Sequence, residues 1–201
     1  INLLYTGRIS KDKNLEFLFK VAQKLHNNSV HKFLLTIVGD GPDYENYKKI
    51  YTSNFINFTG RLPYDELPDL YEDAHLFLFP STTDTFGMAV LEAQCSGLPA
   101  VVSNVGGPKE IVLDNITGFS LPIKTNLWIE KILEIFEMIK QKPEIFNQLK
   151  EKARKHISDN YDLNIILREM FKKNRLLTTL NEHKYLTFSG LKELASGLLA
   201  S

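Results

Sequence analysis

Along most of the chain, short unbroken apolar runs alternate with stretches in which apolar residues recur at helical spacing. The runs are INLLYTG (1–7), FLLTIVG (33–39), FINFTG (55–60), HLFLFPS (75–81), LPAVVS (98–103) and TGFSLP (117–122), six strand candidates. After the first run, Leu15, Leu18, Ala22 and Leu25 fall on one face of a helix. A polar helix-like stretch covers 42–52, a short helix candidate covers 64–74, and small apolar residues from Ala89 to Ser96 form another. The turn after Gly107 opens one more. Runs that are apolar on both faces fit strands covered by helices on each side. Strand–helix alternation without tight Asn-Gly hairpins predicts right-handed βαβ units and a parallel sheet. The expected fold class is therefore α/β, a Rossmann-like three-layer αβα sandwich with a six-stranded parallel sheet.

From about residue 126 the pattern turns wholly helical, through NLWIEKILEIFEMIK, PEIFNQLKEKARKHI and DLNIILREMFKKNRLLTTL. Leu163, Leu167, Met170 and Leu177 stripe the last of these. One domain over 1–180 is expected, with 181–201 a helical tail striped by Leu191, Leu194 and Leu198. The first residues read as a strand already under way, so the expectation is a fragment that lacks an N-terminal part.

Composition removes several function classes. The 201 residues carry 24 Lys and Arg against 24 Asp and Glu, so no global charge draws the chain to nucleic acid or to a membrane surface. No apolar run approaches the ~20 residues of a membrane span. A single cysteine, Cys95, excludes an intrachain disulfide and a cysteine-rich metal site. Its small-residue surroundings, with no histidine nearby in sequence, make it a packing thiol rather than a nucleophile. The five histidines are scattered, and no metal-ligand set is visible.

In an open parallel sheet, ligands bind beyond the C-terminal ends of the strands. The loops to inspect are Gly7–Lys13, Gly39–Pro42, Gly60–Pro63, Pro80–Gly87 and Ser103–Gly107, and the unusual residues fall there. In TGRISKDKN, Gly7 allows a sharp exit from the strand, and Arg8 and Lys13 follow, with Lys13 expected to open the next helix. Two such cations suit a diphosphate, although a lone Arg and Lys are more often solvated loop charges. In STTDTFGMAVLEAQC, Phe86, Gly87 and Met88 begin a helix at which a phosphate can approach backbone N–H groups. Glu92 lies on a face shared with Met88, Ala89, Cys95 and Ser96, where an unpaired carboxylate is poorly placed. A ligand with a vicinal diol would resolve that placement. Asp84 is either a capping or turn aspartate or a second hydroxyl acceptor. Glu110, behind Gly106, Gly107 and Pro108, reads as a first-turn acid favoured by the helix dipole.

Taken together, YTGRISKDKN, LTIVGDGP, INFTGRLPYDELPDLYEDAHLFLFPS, DTFGMAVLEAQCSGLPAVVSNVGGPKEIV and NITGFSLP resemble the C-terminal, donor-binding domain of the group 1 (family 4) retaining glycosyltransferases of GT-B fold. The likeness runs over residues 1–180, in the family's order. It implies that Arg8 and Lys13 bind the donor diphosphate and that Glu92 holds the nucleotide ribose. The backbone around Arg61 and Leu62 would touch the base. Asp84 would contact the donor sugar, and Phe86, Gly87 and Met88 would lie along sugar and phosphates. The family pattern has Glu where this chain has Asp84, a side chain shorter by about 1.5 Å. That difference bears on which sugar is held.

The implied activity is transfer of a hexosyl unit from a UDP- or GDP-linked sugar to an acceptor hydroxyl with retention of configuration. It needs no cofactor and no metal. A sugar or lipid acceptor would be bound by the missing N-terminal domain, so the isolated fragment is expected to be inactive. The corresponding location is cytoplasmic, at most peripheral at the inner membrane face through the missing part. Two alternatives stay open: a nucleotide-sugar epimerase of GT-B architecture, disfavoured because no histidine lies in the site loops, and a non-catalytic nucleotide-sugar binding module.

Overall fold

A computed structural model describes residues 1–28 and 31–161. Six strands form one sheet: β1 (Asn2–Thr6), β2 (Leu34–Val38), β3 (Ile56–Gly60), β4 (Leu76–Phe79), β5 (Ala100–Ser103) and β6 (Gly118–Leu121). Their order is β3-β2-β1-β4-β5-β6, with every pairing parallel. The intervening helices are α1 (Leu15–Asn28), α2 (Tyr44–Tyr51), α3 (Leu67–Asp73), α4 (Met88–Cys95) and α5 (Pro108–Ile111). Two longer helices follow, α6 (Thr125–Gln141) and α7 (Pro143–Asn160). The six expected strands are all present, each trimmed by a residue or more at its ends. The third expected C-terminal helix and the tail lie outside the described residues. No helix among those described is long and apolar enough to cross a membrane.

Continuous burial explains the unbroken apolar runs. Every residue of β4 and β5 is buried, so neither face of the central sheet meets water. The C-terminal helices belong to the same core. Trp128 of α6 is fully buried against Phe17 of α1 at 5.2 Å between ring centroids. Its indole N–H donates to the Pro122 carbonyl at 3.0 Å. A buried indole needs that partner, because its polar N–H would otherwise be stranded.

Helix α4, which the site depends on, is fixed at its C-terminal end by a two-bond cap. Leu98 N–H donates to the Ala93 carbonyl and Gly97 N–H to the Gln94 carbonyl, both at 2.9 Å. Gly97 takes φ +76°, a conformation this cap requires and that glycine adopts without strain. Arg154 of α7 then donates to the Ser96 carbonyl at 3.0 Å. A cation at the C-terminal pole of α4 also complements its dipole.

Candidate functional site

The sheet order reverses between β1 and β4, since β2 and β3 lie to one side of β1 and β4 to β6 to the other. Such a switch point leaves a crevice outside the strand ends. The loops along this rim are tied to one another by hydrogen bonds. Gly7 N–H donates to Val38, Ile9 N–H to Asp40, and Gly39 N–H to Gly60, all onto backbone carbonyls. Across the switch point, the Thr83 hydroxyl donates to the Asp12 carbonyl at 2.9 Å. Gly107 N–H donates to the Asp84 carbonyl at 2.8 Å. A Cβ at Gly107 would lie 2.1 Å from the Thr85 carbonyl oxygen, so a side chain there would force the two loops apart.

At this junction Lys13 and Asp84 meet. The Lys13 Nζ stands 2.6 Å from Asp84 Oδ2, with both side chains mostly shielded, and 3.8 Å from Asp12. The sequence places Lys13 at the start of a helix, and the structure corrects this. A 3-10 turn over Lys11–Lys13 comes first, Asn14 follows at φ +58°, and α1 begins at Leu15. Lys13 therefore ends a turn rather than opening a helix. The Asn14 side chain secures this kink by donating to the Pro80 carbonyl at 3.3 Å.

Arg8 is exposed on the same loop, and its carbonyl accepts a hydrogen bond from the Tyr5 hydroxyl at 3.1 Å. The Asp12 carboxyl lies below its ordinary value, chiefly through the Ser10 hydroxyl; burial opposes this, and the Lys13 and Arg8 charges add to it. Arg8, Lys13, Asp12 and Asp84 thus share one electrostatic neighbourhood. The Tyr5 hydroxyl beneath it is raised above its ordinary value, by burial first and then by Asp84 and Asp12.

Gly87 begins α4 at φ +93°, and no side chain caps the helix. The first-turn N–H groups are left to solvent or a ligand. Phe86 is exposed, Gly87 buried and Met88 half-buried. Arg61 and Leu62 stand on the same rim two strands from β1, Arg61 exposed and Leu62 half-buried. No hydrogen bond or ion pair joins these two to the Lys13–Asp84 pair among the described residues.

Glu92 has a partner that the linear pattern concealed. The fully buried Tyr71 of α3 donates its hydroxyl to Glu92 Oε2 at 2.8 Å, and the same hydroxyl lies 2.8 Å from Thr6 Oγ1. The sequence presents this carboxylate as unpaired in apolar surroundings; one oxygen is in fact bound from within the chain. Burial pushes the Glu92 carboxyl up to about 7, opposed in part by Tyr71. Tyr71 and Thr6 went unrecognised as site residues. The available signal was a tyrosine on the core-facing side of a short helix, whose hydroxyl needs a partner when buried. Cys95 is a packing thiol as expected, its pKa pushed up to about 11 chiefly by burial. Among the described residues no cluster of His, Cys, Asp and Glu has the makings of a metal site.

Residues 1–156 match the family model for glycosyl transferases group 1. The chain belongs to that family. As a group 1 glycosyltransferase it is 37% identical over 116 residues to the sulfoquinovosyl transferase SQD2 of Arabidopsis thaliana, covering 58% of this chain and 22% of that protein. It is 30% identical over 119 residues to a GDP-mannose-dependent alpha-mannosyltransferase of Corynebacterium glutamicum, covering 59% of this chain and 27% of the relative. Its fold matches the crystal structure of Anabaena Alr3699/HepE in complex with UDP and glucose, at TM-score 0.66 and 21% identity. That match covers 86% of this chain and 47% of the other. The catalytic domain of the Helicobacter pylori cholesterol-alpha-glucosyltransferase superposes with TM-score 0.67 and 20% identity, over 79% of this chain and 98% of that one. The chain spans 22% to 42% of the length of the first curated relatives it matches.

Proposed function

We propose that this group 1 glycosyltransferase chain binds a nucleoside-diphosphate sugar at the β1–β4 switch point. Together with an acceptor-binding domain of a longer protein, it transfers the hexosyl unit to an acceptor hydroxyl with retention of configuration. The observation that carries the reading is the meeting of Lys13 with Asp84 where the rim loops of β1 and β4 join, beside the uncapped start of α4.

The difficult step is departure of the nucleoside diphosphate from the anomeric carbon. Charge develops on its oxygens as that bond lengthens. Lys13, Arg8 and the first-turn N–H groups of α4 supply fixed positive potential for it, and fixed potential needs no reorganisation during the reaction. Glu92 holds the ribose diol by accepting from it. Asp84 holds hydroxyls of the transferred sugar while its carboxylate keeps Lys13 in place. The backbone at Arg61 and Leu62 lies along the base. Binding of the donor and stabilisation of its leaving group both fall to this half of the enzyme, without a metal ion.

Calorimetric titration of the chain with UDP-glucose, GDP-mannose and ADP-glucose tests the donor site. One of the three should bind, and Lys13→Ala should weaken it. In the complete protein Lys13→Ala and Arg8→Ala should each lower transfer by ~10²–10³-fold. Unchanged transfer in Lys13→Ala would remove the diphosphate role.

A further inference from the structure

Rigid placement of Glu92 does not follow from its own helix. The residue sits on the less buried face of α4, with Met88, Ala89 and Cys95, and no residue of α4 hydrogen-bonds its carboxylate. A carboxylate on a flexible two-methylene stem loses rotamer freedom when it grips a diol, and that loss subtracts from binding unless the protein has made it beforehand. The only hydrogen bond to this carboxylate among the described residues comes from α3. Tyr71, 1% exposed, reaches across from a different helix and donates to Oε2 at 2.8 Å. The other side of the hydroxyl is closed by Thr6 at 2.8 Å, the last residue of β1 and the one before Gly7 and Arg8. The Tyr71 hydroxyl has one hydrogen. With that hydrogen on the carboxylate, the Thr6 hydroxyl donates to it, and the chain of donors runs Thr6 to Tyr71 to Glu92.

We infer that Tyr71, backed by Thr6, is the positioning residue for the ribose-binding carboxylate of Glu92, an inference that rests on the donor site proposed above. Tyr71 occupies one oxygen of the carboxylate with a charge-assisted bond and leaves the other to the ligand. It also links the ribose end of the site to the last residue of β1, from which the loop bearing Arg8 departs. The ring is locked: it packs edge-on against Phe77 of β4 at 6.1 Å, and Tyr71 is fully enclosed. The remaining ionisable groups that bear on this chain are Cys95 on α4, Arg154 on α7 and Tyr64 ahead of α3.

Tyr71→Phe keeps the ring and removes the hydroxyl. Using whichever of UDP-glucose, GDP-mannose or ADP-glucose binds the unaltered chain, the variant should bind about tenfold more weakly, the cost of a lost hydrogen bond to a charged group. The pH dependence of binding is the readout that packing alone would not move. Donor binding should tighten as Glu92 ionises, around pH 7, and the midpoint should rise in Tyr71→Phe because a donor to the carboxylate is gone. In a Glu92→Ala background, which leaves Tyr71 no acceptor to position, the same change should cost little more, since the two residues act as one unit.

Full affinity with an unmoved midpoint in Tyr71→Phe overturns the inference, as does a loss that simply adds to that of Glu92→Ala. Should Tyr71→Phe not fold, Thr6→Val carries the test. It removes the other end of the chain and should raise the midpoint by a smaller amount, and no shift there also overturns it. Unchanged donor binding in Glu92→Gln would instead refute the ribose assignment itself, which separates failure of the site from failure of its support.

Discussion

Replacing the carboxylate of Glu92 by an amide should make the ligand-free protein more stable and a poorer binder of its donor. In the folded chain burial holds the acid at about 7, against 4.5 as its ordinary value. Between those two pH values the folded state binds more protons than the unfolded chain. Stability therefore falls as pH rises through that window, and above it the full cost of a buried charge is present. The difference corresponds to on the order of 3 kcal/mol at most. Glu92 keeps some contact with solvent, which discounts the figure, so about 1–3 kcal/mol is expected from Glu92→Gln at pH 8. The amide oxygen still accepts from Tyr71, so that bond survives. For a domain of this size the gain is a rise of roughly 3–10 °C in Tm. Thermal melts at pH 5, 6, 7 and 8, with and without donor, measure it. At pH 5 the wild-type acid is mostly protonated and the two proteins should melt close together; the gap should open toward pH 8 and shrink when donor is added. A variant less stable than wild type at pH 8, or a gap that does not change with pH, would refute the claim that Glu92 is a buried acid kept for binding.

Asp84→Asn releases Lys13 from its carboxylate. Nucleoside diphosphate without sugar should then bind at least as tightly as to wild type and up to about fivefold more tightly, the worth of a partly shielded ion pair. Sugar transfer by the complete protein should fall, and weaker diphosphate binding in calorimetry would show that Asp84 does not compete for Lys13. Gly107→Ala places a Cβ against the Thr85 carbonyl at a backbone angle alanine tolerates, so its cost is purely steric. It should destabilise by about 1–3 kcal/mol and weaken donor binding through the displaced Asp84 loop; a melting temperature equal to wild type would contradict the close approach of the two loops.

The six strands, their parallel arrangement and the rim on which to look could all be read from the residues in order. Unbroken apolar runs such as HLFLFPS reflect burial on both faces, which is a property of local composition. Glu92, a carboxylate among small apolar residues, and the rim positions of Lys13 and Asp84 are likewise visible in the chain order. Chain order alone could not say which of them touch. That Lys13 meets Asp84 across 71 positions depends on β1 and β4 lying side by side at the point where the sheet reverses. Nor could helical periodicity foresee the kink at Asn14, whose side chain donates to the carbonyl of Pro80, just past the end of β4 and 66 positions away. Tyr71 is the clearest case. On its helix it is one more apolar-face aromatic, and only when α3, α4 and β1 pack together does its hydroxyl become the link between Glu92 and Thr6. Hydrophobic burial is written residue by residue, whereas a hydrogen bond between distant elements exists only once the packing has brought its two atoms within reach.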